Sequence, residues 1–396
     1  MKKKCNICNK KFIDFLSLGK HPCADTFLKT KKQAINLKKY PLVVGFCKCS
    51  HLTSIHPVPR YERYEKYDYS YTSDNSPVSR KHFKNVANAI LKKHKINNNS
   101  FVVEAGSNDG TFLSEIKKTS NAKVLGVDPS NNIAQIAKRR KINTLVSYFD
   151  HQTSKKIQKL YGKADVFYGA NVFNHVDDNI NFLDGINVLL KENGLLVLEV
   201  PDLKSLIFKT GFDTIYHEHR HYYSEKSIAK ILKKKNFKVI KIQKINYMAG
   251  SLRVFARKDN SKLKKITEFS SVNLIQFRNF KKKIKLAIRE INFFVNKNLK
   301  NKEKVYGIGA ATKGNTLLNC CSFDDTKIKF ILDKSKYKIN KFTPGSAIKI
   351  IKERKNLNFK AAIILPWNIT SHLLKKFSKR KKIMYTSIPK VINKLK

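Results

Sequence analysis

One segment of this sequence gathers more chemically active side chains than any other. Residues 216–223 read Tyr-His-Glu-His-Arg-His-Tyr-Tyr. The H-E-x-x-H spacing within them matches a zinc-protease helix, but the flanking residues are poor helix formers, and that pattern needs both histidines on one helix face. Ser224 is a suitable N-cap, so we expect a loop or short strand that enters a helix. Imidazole and carboxylate this close together indicate acid–base chemistry, with a hydrogen-bonded structural turn as the alternative.

A second group consists of cysteines near the N-terminus. Cys5 and Cys8 form a C-x-x-C pair, and Cys47 and Cys49 form a tighter C-x-C pair. Two thiolate pairs can complete the four-ligand shell of a structural Zn²⁺. A redox C-x-x-C motif and unmetallated thiols are the alternatives. We expect zinc, because so small a segment has little core of its own. Two histidines could substitute as ligands: His21 and His51.

A third group follows an apolar run at residues 100–105. It reads Gly-Ser-Asn-Asp-Gly at residues 106–110 and leads into a helix start, and the next apolar run ends in Asp128. An acid at the end of a second strand is placed to bind ribose hydroxyls. The spacing does not separate NAD from S-adenosylmethionine, although G-x-G-x-x-G is missing. An ordinary βαβ turn without a ligand is the alternative.

These groups require a scaffold, and the chain supplies alternating strands and helices. Further predicted strands, at 164–169 and 195–200, end close to Asn171 and Glu199. Repeated βα units imply a parallel sheet that is covered on both faces. Ligands bind at the carboxyl ends of such strands, where these two residues fall together with Glu104 and Asp128.

A similar glycine-rich turn occurs near the C-terminus. A strand at 304–309 leads into a turn that contains Lys313, Gly314 and Asn315, and a strand at 328–332 is followed by an acid. The lysine precedes the second glycine, so the P-loop pattern fails. A helix N-terminus with a lysine could still hold a phosphate, whereas a packing unit without a ligand is the alternative. The two turns together indicate two Rossmann-like domains.

Composition limits the class of partner. The 396 residues suggest two or three domains, and the formal net charge is +52, with lysines spread along the whole chain. We attribute most of this excess to codon bias. The basic and aromatic residues form no single stripe with a recognised module, which argues against nucleic acid as a partner. No apolar run approaches the roughly 18 residues of a membrane span. We therefore expect a cytoplasmic protein that does not contact membranes.

Taken together, the motifs resemble those of the S-adenosylmethionine-dependent sugar C-methyltransferases, which act on nucleotide-linked ketodeoxysugars. The resemblance covers nearly the whole chain and rests on the cysteine pairs and on several segments: 18–25, 69–73, 104–113, 216–219, 250–253, 307–319 and 344–345. It implies an α/β fold of three domains with two connectors: a small zinc-binding domain (1–60), a tyrosine-rich connector (61–97), a Rossmann-like methyltransferase domain (98–260), a helical connector (261–300) and a C-terminal Rossmann-like substrate domain (301–396).

The family methylates carbon next to a ketone, which requires a base for the C–H proton and donors for the enolate oxygen. The resemblance implies His219 as the base, with Glu218, Tyr216 and one tyrosine of the pair Tyr69 and Tyr71 as orienting groups or proton donors. His217 is the alternative base. The implied cofactor-binding residues are Glu104, Gly106, Ser107, Asn108, Asp109, Gly110, Phe112, Leu113, Asp128, Pro129 and Asn171. The implied substrate-binding residues are Tyr69, Arg253, Lys313, Gly314, Asn315, Pro344 and Gly345. The implied zinc ligands are Cys5, Cys8, Cys47 and Cys49.

Two positions depart from the family pattern. The second cysteine pair is C-x-C where the family usually has C-x-x-C, and Asp25 stands where the family tends to have Asn. We expect a methyltransferase of deoxysugar biosynthesis that uses S-adenosylmethionine and structural Zn²⁺ and acts on a nucleotide-diphosphate-linked keto-deoxysugar. The alternatives are an O-methyltransferase of a related sugar, which needs no C–H base, a non-catalytic scaffold, and a nucleic-acid-binding protein with strongly salt-dependent binding. The oligomeric state is open, a monomer included.

Overall fold

A computed structural model describes residues 4–258, 269–353, 359–377, 384–386, 388 and 393–394. The strands are β1 (Asp14–His21), β2 (Tyr40–Cys47), β3 (His51–Ser54), β4 (Phe101–Ala105), β5 (Lys123–Asp128), β6 (Thr144–Val146), β7 (Ala164–Ala170), β8 (Leu190–Pro201), β9 (His221–Tyr223), β10 (Phe237–Ile245), β11 (Ser251–Lys258), β12 (Val305–Ile308), β13 (Ile331–Asp333), β14 (Ile350–Lys352), β15 (Ala361–Ile364), β16 (Met384–Thr386) and β17 (Asn393–Lys394).

The α-helices are α1 (Lys31–Ile35), α2 (Pro77–Lys93), α3 (Thr111–Ser120), α4 (Asn131–Arg139), α5 (His151–Tyr161), α6 (Asn179–Leu189), α7 (Leu203–Phe208), α8 (Glu225–Lys234), α9 (Leu274–Lys300), α10 (Thr312–Cys320) and α11 (Thr370–Phe377). Tyr61–Glu65 form a π-helical turn, and Phe212–Thr214 and Trp367–Ile369 form 3₁₀ turns. Among the described helices, none combines the length and the apolar character that a membrane crossing requires.

The central sheet has seven strands in the order β10-β11-β8-β7-β4-β5-β6. The ladders from β8 to β6 are parallel, and β11 runs antiparallel to both of its neighbours. Every residue of β4 is buried, as expected for a strand that is covered on both faces. The carboxyl ends of β4, β5, β7 and β8 therefore meet at one edge. The predicted Rossmann-like α/β architecture is confirmed.

The small N-terminal sheet has the order β1-β2-β3-β9, and all its ladders are antiparallel. Its fourth strand comes from the histidine-rich segment, because Thr53 of β3 lies opposite His221 of β9. Ser224 then caps α8 through a capping box with Ser227. The prediction of a short strand that enters a helix at this point is confirmed, and the zinc-protease helix is absent from this described segment.

The third sheet has the order β14-β13-β12-β15-β16-β17, parallel except for the last pair. It gives the C-terminal part of the chain a second Rossmann-like layer. The long helix α9 precedes it. The predicted helical connector began at residue 261, but residues 261–268 lie outside the described part, and the helix begins at Leu274 because Asn273 caps it.

The three sheets do not pack as separate bodies. One buried apolar cluster contains side chains from the N-terminal sheet, α9 and the C-terminal sheet. Phe46 of β2 stacks on Phe277 of α9 with ring centroids 4.7 Å apart. A second cluster joins three of the N-terminal cysteines to the apolar residues of the central sheet. The N-terminal part of the chain thus shares buried apolar contacts with both of the other sheets.

Candidate functional site

The glycine turn after β4 has a backbone that only glycine adopts easily. Gly106 and Gly110 have φ of 64° and 74°, in the left-handed region. A Cβ atom at Gly106 would come within 3.0 Å of Val172, and one at Gly110 within 3.1 Å of Ile142. The turn is therefore both strained for other residues and closely packed.

Buried polar groups surround this turn. Glu104 is 2% exposed, and its Oε2 has no hydrogen-bond partner among the described residues; the same holds for the hydroxyl of Ser107. Burial, reinforced by Asp109, raises the pKa of Glu104 well above its usual range. Asp128 accepts the backbone N–H groups of Asn108 and Ser130, each at 2.9 Å. Orphaned polar atoms beside a left-handed glycine turn fit a polar cofactor such as S-adenosylmethionine.

The other predicted cofactor residues divide into two sets. Asn171 also has a left-handed backbone (φ 52°) and donates its N–H to the carbonyl of Glu199 at 2.8 Å, and Pro129 follows Asp128 directly. Phe112 and Leu113 instead lie in the apolar core, with the Phe112 ring 4.1 Å from that of Tyr168.

The tyrosine-rich segment lies across this edge of the sheet. Asn132 of α4 donates its side-chain amide to the carbonyl of Tyr69 at 3.0 Å, and Asn108 donates to the carbonyl of Tyr71 at 3.1 Å. The backbone N–H of Ser73 returns a hydrogen bond to Asn108. The Tyr71 hydroxyl is 3.4 Å from that of Tyr247. The predicted cofactor turn is thus covered by the segment that carries Tyr69 and Tyr71.

His219 is held in one tautomer. Its Nδ1 lies 2.9 Å from the carbonyl oxygen of Thr214, and its Nε2 lies 2.7 Å from the hydroxyl of Tyr216. A carbonyl can only accept, so Nδ1 carries the proton and Nε2 accepts from the tyrosine. Burial lowers the pKa of His219 to about 3, so the ring is a neutral base. The lone pair on Nε2 accepts the hydrogen bond from the Tyr216 hydroxyl.

A second histidine, His175, joins this cluster although the sequence did not single it out. Its ring centroid is 4.7 Å from that of His219, and its Nδ1 is 2.7 Å from the hydroxyl of Tyr64. Burial lowers its pKa well below the usual range. The signal that could have found it is its place in the loop after β7, four residues beyond Asn171.

Glu218 is 2% exposed and is held by the N-terminal segment. Its carboxylate accepts the backbone N–H of Ala24 at 3.3 Å and that of Asp25 at 2.9 Å. Burial raises the pKa of Glu218 to about 7, and the nearby Asp25 carboxylate adds to this rise.

His217, the alternative base, faces another part of the protein. Its Nε2 is 3.0 Å from the carbonyl oxygen of His21, and its ring meets the edge of Tyr40 at 5.9 Å. Its Nδ1 has no hydrogen-bond partner in the described part of the chain. The ring therefore lies against the N-terminal sheet, whereas His219 lies with Tyr216 and His175.

The C-terminal glycine turn contacts the same N-terminal segment. Asn315 donates its side-chain amide to the carbonyl of Ala24 at 2.7 Å, and the Thr312 hydroxyl donates to Asp25 at 2.6 Å. Lys313 donates to Asn368 at 2.6 Å. Burial lowers the pKa of Lys313 to about 8.

The remaining predicted substrate residues lie in different places. Gly345 has a left-handed φ of 75° and donates its N–H to the carbonyl of Ala34 at 3.0 Å, and the Pro344 carbonyl accepts from Asn319. Buried Gly314 packs so closely on the C-terminal sheet that an added Cβ would come within 2.7 Å of a leucine side chain. Arg253 belongs to the central sheet, where it forms an ion pair with Glu199.

The four N-terminal cysteines converge. Their sulfur atoms all lie within 4.8 Å of one another, with Cys5 and Cys49 3.7 Å apart and Cys8 and Cys47 3.2 Å apart. Zn–S bonds of about 2.3 Å would give sulfur–sulfur edges of about 3.8 Å in a tetrahedron. Hydrogen bonds among these thiols lower the pKa of Cys47 and raise the pKa values of Cys5 and Cys49. The donor set fits Zn²⁺ despite the C-x-C spacing.

The two substitute histidines differ in their relation to this cluster. His51 Nδ1 is 3.4 Å from Cys5 Sγ, whereas His21 Nε2 is 2.6 Å from the carbonyl of Leu18.

Comparisons with known proteins agree with this geometry. A methyltransferase-domain model matches residues 78–242, and a model of the C-methyltransferase C-terminal domain matches residues 247–387. The C-methyltransferase NovU of Streptomyces niveus is 28% identical over 359 residues, which cover 88% of this chain and 85% of the relative.

The solved structures that are similar match less than half of this chain. The methyltransferase solved in complex with the Haloferax volcanii Trm112 methyltransferase activator is 14% identical, with a TM-score of 0.38, over 46% of this chain and 95% of that chain. The magnesium protoporphyrin IX methyltransferase (ChlM) of Synechocystis PCC 6803, solved with bound SAM, is 14% identical, with a TM-score of 0.35, over 46% of this chain and 79% of that chain. Both family models and the relative agree that the chain is an S-adenosylmethionine-dependent methyltransferase, and its C-terminal part matches the C-terminal domain of C-methyltransferases.

Proposed function

We propose that this enzyme methylates the carbon next to the ketone of a nucleotide-diphosphate-linked keto-deoxysugar. The observation that carries the proposal is His219, a buried neutral imidazole whose Nδ1–H is fixed on Thr214 and whose Nε2 faces the Tyr216 hydroxyl. A C–H group next to a ketone is a weak acid, so its deprotonation needs an unprotonated base and a nearby donor for the enolate oxygen. The NovU relative, a C-methyltransferase, supports carbon as the acceptor atom.

The cofactor would lie at the edge formed by β4, β5 and β7. Glu104, Ser107 and the Gly106–Gly110 turn would line it, and Asp128 would accept ribose hydroxyls, since each carboxylate oxygen can take more than the one backbone N–H it now binds. When bound, S-adenosylmethionine supplies an electrophilic methyl group on a positively charged sulfur. The segment that carries Tyr69 and Tyr71 would cover the bound cofactor at this edge.

In the reaction, His219 Nε2 takes the proton from the sugar carbon. The imidazolium that forms keeps its Nδ1–H on the Thr214 carbonyl, so the ring does not have to turn. The Tyr216 hydroxyl, released from Nε2, then donates to the enolate oxygen. General-base catalysis of this kind contributes roughly 10²- to 10⁴-fold.

Other polar groups orient the sugar. His175 and Tyr64 form a hydrogen-bonded pair beside the His219 ring, with 2.7 Å between the Tyr64 hydroxyl and His175 Nδ1. Glu218, held by two backbone N–H groups, faces the same cluster and would bind a sugar hydroxyl. Lys313, Asn315 and Gly345, at the junction of the C-terminal and N-terminal segments, would bind the nucleotide part. Zn²⁺ on the four cysteines would be structural.

The test is hydrogen exchange in D₂O. A dTDP-4-keto-6-deoxyglucose-type sugar is incubated with the enzyme, with and without S-adenosylmethionine, and deuterium at the carbon next to the ketone is followed by NMR. We expect exchange with the wild type and a loss of at least about 100-fold in His219→Asn. His217→Asn is the matched control, because this ring faces the N-terminal sheet, and exchange should persist.

Two results would contradict the proposal. Methylated product without exchange, at a rate that His219→Asn leaves intact, would indicate O-methylation, which needs no C–H base. Neither exchange nor product from a panel of keto-sugars would mean that the substrate class is wrong.

A further inference from the structure

The 3₁₀ turn before the Tyr216–His219 pair contains a carboxylate that the proposed reaction does not use. Asp213 is fully buried, with 0% exposed surface. A buried carboxylate requires compensating partners, because its removal from water is costly. Its partner lies in the 3₁₀ turn that follows β15 of the C-terminal sheet, more than 150 residues away in sequence.

That partner is Trp367, the single tryptophan of the chain. Its indole N–H donates to both carboxylate oxygens of Asp213, at 3.0 and 2.9 Å. The ring lies directly against the backbone of the turn, since a Cβ atom at Gly211 would come within 3.1 Å of it. Lys313 holds its ammonium group 4.0 Å from the centroid of the same ring. Asp213 is therefore clamped by an indole N–H and a nearby positive charge, both from the C-terminal part of the chain.

The residue after Asp213 is the one that orients His219. The Thr214 carbonyl accepts His219 Nδ1–H at 2.9 Å and the Tyr222 hydroxyl at 3.4 Å. The backbone N–H of Thr214 donates to the Gly211 carbonyl at 3.1 Å and also interacts with the Asp213 carboxylate. The backbone of Thr214 is thus held by two contacts: its N–H bonds within the 3₁₀ turn, and its carbonyl accepts the hydrogen bond of the His219 imidazole.

We infer that Trp367 and Asp213 are positioning residues through which the C-terminal sheet fixes the tautomer and orientation of His219. The inference rests on the proposed function, in which His219 Nε2 removes the sugar proton. A neutral imidazole has two tautomers, and only the one with Nδ1–H leaves an electron pair on Nε2. If the turn shifts, the Thr214 carbonyl moves away from Nδ1, and the tautomer that cannot act as a base at Nε2 becomes populated. The C-terminal sheet therefore orients the proposed base, His219, in addition to its proposed role in substrate binding.

The variants separate the two sides of the clamp. Trp367→Phe keeps an aromatic ring but removes the N–H donor. Asp213→Ala removes the acceptor and leaves Trp367, whose fluorescence then reports on the same contact. Asp213→Asn restores an oxygen that can accept the indole N–H. The matched control is Tyr306→Phe, because Tyr306 is a buried tyrosine in β12 of the C-terminal sheet.

Two measurements are made on each full-length variant. The histidine tautomer is read by NMR of ¹⁵N-histidine-labelled protein, with the His219 signal identified by its loss in His219→Asn. The kinetic measurement gives kcat and KM for the keto-sugar. We expect Trp367→Phe and Asp213→Ala to lose the Nδ1–H tautomer and to lower kcat about 10- to 100-fold with KM changed less than about 3-fold, because small displacements of a catalytic group cost this much. Asp213→Asn should recover most of both, and Tyr306→Phe should match the wild type.

The outcomes distinguish this inference from the proposed function. The tautomer needs no substrate, so a disturbed tautomer in Trp367→Phe supports the positioning role even if no keto-sugar exchanges. A wild-type tautomer and wild-type kcat in Trp367→Phe would overturn it. If Trp367→Phe does not fold, as judged by circular dichroism, Asp213→Ala decides in the same way.

Discussion

The backbone N–H of Asp25 donates to the Glu218 carboxylate at 2.9 Å. A segment near the N-terminus thus holds the buried acid that directly precedes His219. The Asp25 side chain extends this link. It accepts the backbone N–H and the hydroxyl of Ser70, between Tyr69 and Tyr71, and the hydroxyl of Thr312 at the start of α10. One residue thus joins the tyrosine-rich segment, the C-terminal turn and Glu218.

Removal of the Asp25 side chain should uncouple these three segments. In Asp25→Ala, Ser70 and Thr312 lose a shared acceptor that is 7% exposed, and we expect kcat/KM to fall by roughly 10- to 100-fold. Asp25→Asn should retain most of the activity, because its amide oxygen can accept the Ser70 N–H while its NH₂ group donates to the two hydroxyls. Steady-state kinetics on both variants, with thermal unfolding alongside, makes the comparison.

The Asp25 hydrogen bonds would be dispensable if Asp25→Ala kept wild-type kcat/KM. An equal loss in Asp25→Asn would instead mean that the negative charge matters more than the geometry.

The buried Glu218 should make stability depend on pH. Burial raises its pKa from 4.5 to about 7, so the folded state binds a proton that the unfolded state has already lost between these values. Its contribution is fully present below pH 4.5 and is lost as the pH rises through about 7. Compared with the wild type, Glu218→Gln should therefore gain about 2 to 3 kcal/mol more at pH 8 than at pH 5. Urea unfolding at the two pH values measures the difference.

Several charged or titratable groups face Glu218 and are unchanged in that comparison. They are Asp25, Cys23, Arg63, Tyr64, Tyr69 and Tyr216. The matched control is Glu192→Gln, since the Glu192 side chain is 59% exposed, and its effect should be the same at both pH values. Equal effects of Glu218→Gln at pH 5 and pH 8 would contradict the raised pKa.

The Tyr216 hydroxyl should contribute to the rate rather than to substrate binding. It lies 2.7 Å from His219 Nε2 and is the proposed donor to the enolate oxygen. Loss of one such donor typically costs about 10²- to 10³-fold in kcat. We expect Tyr216→Phe to show this loss with little change in KM. Tyr222→Phe is the control, because its hydroxyl donates to backbone carbonyls, at 3.3 and 3.4 Å, rather than to His219 Nε2, and its loss should cost less than about 10-fold. Similar kcat values for the two variants would refute the assignment.

The local parts of this site were predictable from the sequence. The strand, the left-handed glycine turn and the acid that ends the next strand are adjacent in the chain, so composition and spacing indicate them. Ser224 identified the end of the histidine run, because a capping residue acts within one helical turn. These features depend on residues within a few positions of each other.

The long-range parts could not be predicted in this way. The pairing of β9 with β3 joins residues about 170 positions apart, and nothing local in His221 specifies that partner. Trp367 and Asp213 each resemble ordinary buried residues until the fold brings them together. The side chains of Phe112 and Leu113 follow the glycine turn in sequence, but α3 rotates them into the core. Sequence motifs therefore locate chemistry well and side-chain direction less well.

The four-cysteine cluster should contain one Zn²⁺ per chain. Metal analysis of the purified protein is expected to give this ratio, and Cys49→Ser should lower it, because Cys49 Sγ lies 3.7 Å from Cys5 Sγ inside the cluster. Cys321→Ala is the matched control: Cys321 is 3% exposed in the core between α9 and the C-terminal sheet, and this change should leave the metal content intact.

Loss of the metal should disturb the positions of Glu218 and His219, because β9 links them to the cysteine cluster. Cys47 ends β2 and Cys49 lies in the turn before β3. Strand β3 pairs with β9, which begins two residues after His219. Treatment with a strong chelator should therefore lower both the melting temperature and the exchange of the sugar C–H group, and added Zn²⁺ should restore them. Full activity in metal-free protein, or no bound zinc in protein prepared without chelator, would show that the thiols alone hold this sheet together.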